Sequence, residues 1–281
     1  LSVRIGIHVS ISGSLAKAIE RARIRECQTI QIFARTPRAW KAKPWDVSDV
    51  ESFKQERRKS GIRPVVIHTC YLLNLASPDA DLRSKSIEAL VDDLQRADIG
   101  GIEYVVTHPG SSSGPGGVDR VRSACLQAMD AIKSKAQILV ENVSGGGGKV
   151  GGSFEELAQM VDGTRFGVCL DTCHAFAAGY PIHLQPGRVL DEFDDKVGMS
   201  KLKVLHLNDS VGEFGSHVDH HQHIGKGFIG LDGFERILAE PRIRAVPGIL
   251  ETPQRATDDP SDDLANVRTV RRILQDLEKG G

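Results

Sequence analysis

Eight short apolar runs recur down the chain: VRIGI (3–7), TIQIF (29–33), PVVIH (64–68), YVVTH (104–108), QILVE (137–141), FGVCLD (166–171), KVLHL (203–207) and PGILE (247–251). Continuous runs of Val, Ile and Leu suit strands buried on both faces, as in parallel sheets. Most are separated by segments with helical spacing. SLAKAIERARI follows Ser14, a candidate N-cap; DVSDVESFKQERRKS stops at Gly61; DADLRSKSIEALVDDLQRADIG runs to Gly100. VDRVRSACLQAMDAIKSK, SFEELAQMV, LDGFERILAE before Pro241 and SDDLANVRTVRRILQDLEK complete the set. Strands alternating with helices along the whole length predict an α/β protein, a single (β/α)8 TIM barrel over residues 1–281, with its chemistry at the C-terminal strand ends. The glycine run Gly145–Gly148 lies between a strand and a helix and reads as a loop, not a domain boundary.

Composition narrows the partners. Charged residues make up 26% and hydrophobic ones 40%, an ordinary globular balance. Net charge is -1, so a polyanionic ligand would need a local basic face. No run approaches the roughly 20 apolar residues of a membrane span. The sequence enters a strand pattern at once, without a signal-peptide pattern, and a cytoplasmic, non-secreted protein is expected. Cys27, Cys70, Cys125, Cys169 and Cys173 form no C-x-x-C pair and read as free thiols of a reducing compartment.

The ends of six successive strands carry ligand-type residues: His68, His108, Glu141, Asp171 with His174 three residues on, His206 followed by Asn208 and Asp209, and Glu251. In a barrel these ends share one mouth. Clustered buried carboxylates and imidazoles are costly without a cation, so the register points to metal. VDHHQHIG (218–225) follows the seventh strand and has three readings: a solvated polar loop, a pH-sensing cluster or a metal site. Asp219 and His221 are two apart, so an extended segment puts both on one side. With His174 they would offer a carboxylate and two imidazoles, a set suited to zinc with an open position. A pH switch needs a bistable element, and the sequence displays none.

These residues resemble the endonuclease IV family of zinc-dependent abasic-site endonucleases over nearly the whole chain. The resemblance is carried by GIHVSISGSLAKAI, TPRAW, HTCYLLNLA, THPGS, ENVSG, GVCLDTCHAFAAGY, HLNDS with FGSHVDHHQHIGKGFIG, and LETP. It implies three zinc ions per chain: one held by His68 and His108, Glu141 bridging it to a second completed by Asp171, His206 and Glu251, and a third on His174, Asp219 and His221. Glu141 and Glu251 would be the catalytic carboxylates, Glu251 orienting the nucleophile. A monomer is expected, and the implied partner is duplex DNA with abasic sites or blocked 3′ ends. It would be cut 5′ to the lesion to leave a 3′-hydroxyl and a 5′-deoxyribose phosphate, with 3′-end trimming besides. His217, His220 and His223 fall outside the ligand set, with His223 a candidate to support it from behind, and His183 is expected at the surface. Two positions depart from the family: His220 stands where Arg is common, and Lys226 replaces the Glu of a G-E-G.

Arg38, Tyr71 and Leu72 are the residues expected to touch DNA, Tyr71 and Leu72 as wedges in the base stack. Trp40 beside Arg38 reads equally as packing, Leu72 also as core, and SGGGGKVGG as a phosphate cradle or a flexible connector. Arg35, Arg38, Lys41, Lys43, Lys149 and Lys226 are expected to form a basic rim. Cys173 reads as a small buried thiol. The competing readings are a sugar isomerase of the xylose-isomerase-like barrels and a catalytically inert DNA-damage binder.

Overall fold

The structure, a computed structural model, describes residues 3–254 and 259–280. The ends of the expected 1–281 span lie outside them. Eight parallel strands close into a barrel: β1 (Ile5–His8), β2 (Thr29–Phe33), β3 (Val65–His68), β4 (Tyr104–Thr107), β5 (Gln137–Glu141), β6 (Gly167–Asp171), β7 (Leu202–His206) and β10 (Gly248–Leu250), in the order β1-β10-β7-β6-β5-β4-β3-β2. Between β7 and β10 the chain forms a small antiparallel ribbon, β8 (Asp209–Ser210) with β9 (His221–Gln222).

One rule of two organises the barrel interior. Val66, Val106, Leu139, Cys169, Val204 and Ile249 form a separate, fully buried cluster, one from each of six strands. Alternate strand residues share a face, so the residue two positions on faces the same interior, one layer nearer the mouth. Those residues are His68, His108, Glu141, Asp171, His206 and Glu251. The intervening residues, among them Ile67, Val105, Val140 and Leu170, belong to the larger cluster beneath the helices. A register slip of one residue would turn every one of these groups outward. The layer is staggered, not flat: His68 is level with Val106, and Glu141 with Cys169.

The outer helices are α1 (Lys17–Ile24), α2 (Val47–Ser60), α3 (Ala80–Gly100), α4 (Gly117–Ile132), α5 (Phe154–Val161), α7 (Pro186–Lys196), α8 (Gly230–Ala239) and α9 (Ser261–Gly280), and a short α6 (Thr172–Ala177) continues β6. Local chemistry fixes several ends. The Asp46 carboxylate accepts from the Ser48 and Asp49 amides at the start of α2, and Gly61, at φ +69, terminates it. Helix α1 starts at Lys17, three residues after Ser14; its capping residue is Ala16, and Ser14 Oγ accepts only the Lys17 amide, at 3.3 Å. Helix α7 is absent from the sequence reading. It opens on Pro186 and buries that residue with Val189, Leu190 and Phe193 among charged neighbours, a thin apolar stripe. No helix among the described residues is long and apolar enough to cross a membrane.

Candidate metal centre

The strand ends bring their donors together. Four groups of ligand atoms lie within 4.8 Å of one another: His68, His108 and Glu141; Glu141, Asp171, His206 and Glu251; His174, Asp219 and His221; and Asp171, Cys173 and His221. Glu141 is the hub. Its Oε2 lies 3.2 Å from His68 Nε2 and 3.1 Å from His108 Nε2, and its Oε1 lies 2.9 Å from His206 Nδ1 and 3.4 Å from His174 Nδ1. His174 Nε2 meets Asp219 Oδ1 at 2.9 Å.

The imidazoles share a design. In four of them one ring nitrogen is anchored to protein and the other faces the centre. His68 Nδ1 donates to the Thr69 carbonyl at 2.7 Å, which leaves Nε2 for the centre. His174 Nδ1 is tied to the Asn142 carbonyl at 2.9 Å and His221 Nδ1 to the Glu251 carbonyl at 3.2 Å. His206 is held through Nε2 by Gln31 Oε1 at 2.8 Å, so its Nδ1 turns inward. Anchoring of this kind fixes the tautomer and aims the free nitrogen, as in metal-bound histidines. His221 Nε2 is buried with no hydrogen-bond partner, 3.7 Å from Asp171 Oδ2 and 3.8 Å from Asp219 Oδ1. A buried, orphaned imidazole nitrogen between two carboxylates is the arrangement a metal ligand requires. The residues present therefore fit divalent metal, and their N and O donors suit zinc.

Carboxylates are oriented as tightly. Asn208 Nδ2 donates to Asp171 Oδ2 at 2.6 Å and to Glu251 Oε2 at 3.2 Å, and Asn142 Oδ1 accepts the Asp171 amide at 2.6 Å. Burial works against charge on Glu141, yet His206 and His108 outweigh it and hold this carboxyl well below its usual range. Burial likewise opposes charge on His174, and Asp171, Asp219 and Glu141 raise its pKa well above the ordinary value.

Two members of this layer escape the sequence reading. Gln31 links three groups: its amide nitrogen donates to Glu251 Oε1 at 2.6 Å and to His8 Nδ1 at 3.1 Å, and its oxygen holds His206. Burial pushes the His8 pKa down to about 4, so the ring is a neutral acceptor at pH 7. Both lie at inward positions of β1 and β2. The spacing of two that places the other strand-end groups would have found them.

The remaining expected residues divide. The Tyr71 amide donates to the Pro37 carbonyl at 3.0 Å, which joins the loop of Arg38 to that of Tyr71. Arg38 is exposed, and Tyr71 is 63% exposed with its ring 6.2 Å from that of His68. Leu72 and Trp40 are half-buried against the core. Lys41, Lys43 and Lys226 are exposed; Lys149 Nζ contacts Ser144 Oγ at 2.7 Å and Asp219 Oδ2 at 3.7 Å. Arg35 corrects the expected rim: it is buried and paired with Asp93 and Asp92 on α3. His183 is not a plain surface residue, since its ring packs 4.8 Å from Phe176 with Nδ1 buried. His223 hydrogen-bonds Asn266 on α9. Cys173 is buried, its thiol turned to the His220 carbonyl and pushed up to about 12 by burial. Asp209, beside Asn208, is a loop anchor: its carboxylate accepts the amides of Gly227 and Ile229, each at 2.9 Å.

Comparison with known proteins agrees with this geometry. Residues 19–276 match the family described as a xylose isomerase-like TIM barrel. The chain is 44% identical to endonuclease 4 of Thermus thermophilus over 97% of its own length and 99% of that protein. It is 43% identical to a probable endonuclease 4 of Methanosphaerula palustris, covering 96% and 98%. The crystal structure of endonuclease IV from Thermus thermophilus superimposes with a TM-score of 0.90 at 43% identity, covering 97% of this chain and 99% of that one. A D-tagatose 3-epimerase-like protein, at TM-score 0.74 and 19% identity over 98% and 99%, shares the fold alone.

Proposed function

The chain belongs to the endonuclease IV family, and on that premise we propose that it hydrolyses the phosphodiester 5′ to an abasic site in duplex DNA. The products are a 3′-hydroxyl and a 5′-deoxyribose phosphate, and blocked 3′ ends are trimmed at the same centre. Three zinc ions would be held by this chain's own residues: one by His68, His108 and Glu141, a second by Glu141, Asp171, His206 and Glu251, and a third by His174, Asp219 and His221. Bound zinc supplies neutralisation of phosphate charge and a water acidic enough to attack near pH 7.

The observation that carries this reading is the anchoring of one nitrogen in each of His68, His174, His206 and His221 while the other faces the shared carboxylates. Such preorganisation lowers the reorganisation needed at the moment of reaction. Glu141, buried between four imidazoles, keeps its charge and spans two donor groups. Glu251 is aimed by Gln31 on one oxygen and Asn208 on the other, a posture suited to orienting an attacking water. At the rim, Tyr71 and Leu72 enter the gap left by the missing base, and Arg38 follows from the adjoining loop. An abasic nucleotide has lost its stacking partner and is cheap to extrude, which favours it over intact DNA.

The sugar-isomerase reading accounts for strand-end ligands but leaves the Asp219 and His221 pair without a role. The deciding experiment is incision of a duplex bearing one abasic site, with and without chelator, alongside metal content per chain. Near three zinc ions with chelator-sensitive incision is expected. One or two ions without incision would overturn the proposal.

A further inference from the structure

The end of the barrel opposite the candidate centre carries a hollow of about 620 Å³ lined by Arg4, Lys54, Arg57, Arg58 and Arg63, with Gly61–Ile62 and Gly100–Gly101 between them. Arg4 immediately precedes β1 and Arg63 lies just before β3, so the hollow sits at N-terminal strand ends. No carboxylate is among its described lining residues. Two of its cations have structural work. Arg57 donates to the Gly101 carbonyl at 2.6 Å and the Ile62 carbonyl at 3.2 Å and pairs with Glu103; Lys54 pairs with Glu51. Arg4 donates to the Arg63 carbonyl at 3.3 Å. Among the described residues, no ion pair reaches the guanidinium of Arg4, Arg58 or Arg63.

Helix polarity accounts for part of this charge. Arg57, Arg58 and Lys59 fall in the last turn of α2, where cations complement the C-terminal dipole. It does not account for Arg4 and Arg63, which stand on strand leads. The floor is also open: Gly61 and Gly101, both at positive φ, have no atom within 4 Å of an added Cβ. On a chain of net charge -1, uncompensated arginines converging on one concavity form a local field for an anion.

A second hollow of about 570 Å³ shares Arg4 and Arg63 and is mixed beyond them, with Met199, Leu202, Val246 and Pro247 in its wall beside Lys203. Its Glu103 is occupied by Arg57 and by the Val65 amide at 2.9 Å, and its Arg242 by Asp191 and Glu240. The Arg4–Arg63 ridge thus divides the arginine hollow from one in which an aliphatic wall stands beside a further cation, Lys203.

We propose that this end of the barrel docks an acidic peptide segment of a partner protein, with its carboxylates in the arginine hollow and an aliphatic or aromatic side chain against the aliphatic wall of the second. The planar guanidinium fork matches carboxylates bidentately. A single nucleic-acid strand presents the same charge but gains affinity from stacking on aromatic side chains, and among the described residues Tyr104, half-buried, is the only ring lining either hollow. The inference is independent of the reaction proposed for the mouth.

The test is fluorescence anisotropy at low ionic strength with the full chain and a labelled peptide of alternating Asp and Ile closing on Phe. The same titration is run with the double variant Arg58→Glu, Arg63→Glu, whose thermal midpoint is checked against wild type. Saturable binding is expected, weakened about tenfold or more by the two reversals and severalfold when the apolar residues of the peptide become Ser. Both residues are exposed, so the fold should survive; should the double variant melt early, Arg58→Gln alone is expected to weaken binding in the same direction. Absence of saturable wild-type binding, equal affinity in a folded variant, or equal displacement by a charge-matched oligothymidylate overturns the proposal, the last outcome reassigning the hollow to nucleic acid.

Discussion

Arg35 Nη2 lies 2.7 Å from Asp93 Oδ1, and both side chains are buried. The same guanidinium reaches Asp92 and the Ala89 carbonyl, so it bolts the loop after β2 onto α3. Truncation would strand a buried carboxylate beside an empty socket. Arg35→Ala is expected to lower the unfolding free energy by about 3–5 kcal/mol. Urea denaturation measures it, and a loss below about 1 kcal/mol would show that the pair carries no structural burden.

Asp93 also sets a pH dependence. Burial raises its pKa from 3.8 to about 6, Arg35 only partly opposing, and its second oxygen has no partner. Between these values the folded chain holds more protons than the unfolded one, so stability falls as pH rises and levels off above about 6. The shift corresponds to about 3 kcal/mol at most. Asp93→Asn removes the titration. The stability of wild type relative to this variant should therefore fall between pH 4 and pH 7, and a constant or rising difference contradicts the assignment.

The exposed Arg38 separates from the buried Arg35 by a different readout. If Arg38 enters the stack beside the lesion, Arg38→Ala lowers the ratio of affinities for abasic and intact duplex at one fixed salt concentration. An unchanged ratio reduces Arg38 to a backbone contact and leaves Tyr71 and Leu72 as the wedge. Arg35 does not belong to the rim, so the salt slope of DNA binding is expected to reflect several contacts from Arg38, Lys41, Lys43 and their neighbours. A slope of one phosphate contact would refute that.

Glu141→Gln keeps the shape of the hub and removes its charge. Incision is expected to drop by about two orders of magnitude or more, the scale seen when one electrostatic contact to a transition state is lost, with the fold retained by circular dichroism. A variant that cuts abasic DNA at nearly the wild-type rate would remove Glu141 from the mechanism.

Chelation tests the centre as a structural element. Without cations, the carboxylates of Glu141, Asp171 and Glu251 crowd one another at the mouth, and metal that binds only the folded chain stabilises it by mass action. Exhaustive chelation is expected to abolish incision and lower the thermal midpoint by several degrees, both restored by zinc. Persistent incision in protein shown metal-free by elemental analysis sinks the trinuclear reading.

Much of the barrel was readable because strands buried on both faces leave continuous apolar runs, and because an ionisable residue closing such a run is conspicuous. His68, Glu141 and Glu251 were visible on those grounds. Gln31 is harder to see, since a neutral amide inside TIQIF looks like an interruption of a strand; the spacing of two places it inward, and its three-way geometry displays its work. Arg35 was misplaced because its partners lie 57 and 58 residues on, within a helix whose charges look like a solvated face. The α7 helix escaped through its sparse apolar stripe. Arg4 and Arg63 read as isolated cations until strand closure brought them side by side.

The β8–β9 ribbon has a bearing on how such a centre is held. Six strands each lend one group and are locked together by barrel closure, so none can be altered in length without disturbing the rest. Asp219 and His221 arrive otherwise, on an excursion whose ends are pinned by Asp209 to Gly227 and Ile229. Between those ends the Gly215 and His217 amides reach back to the Phe176 and Ala177 carbonyls of α6, at 3.1 and 3.0 Å, so this side of the centre is held by loop hydrogen bonds where the other is held by barrel closure.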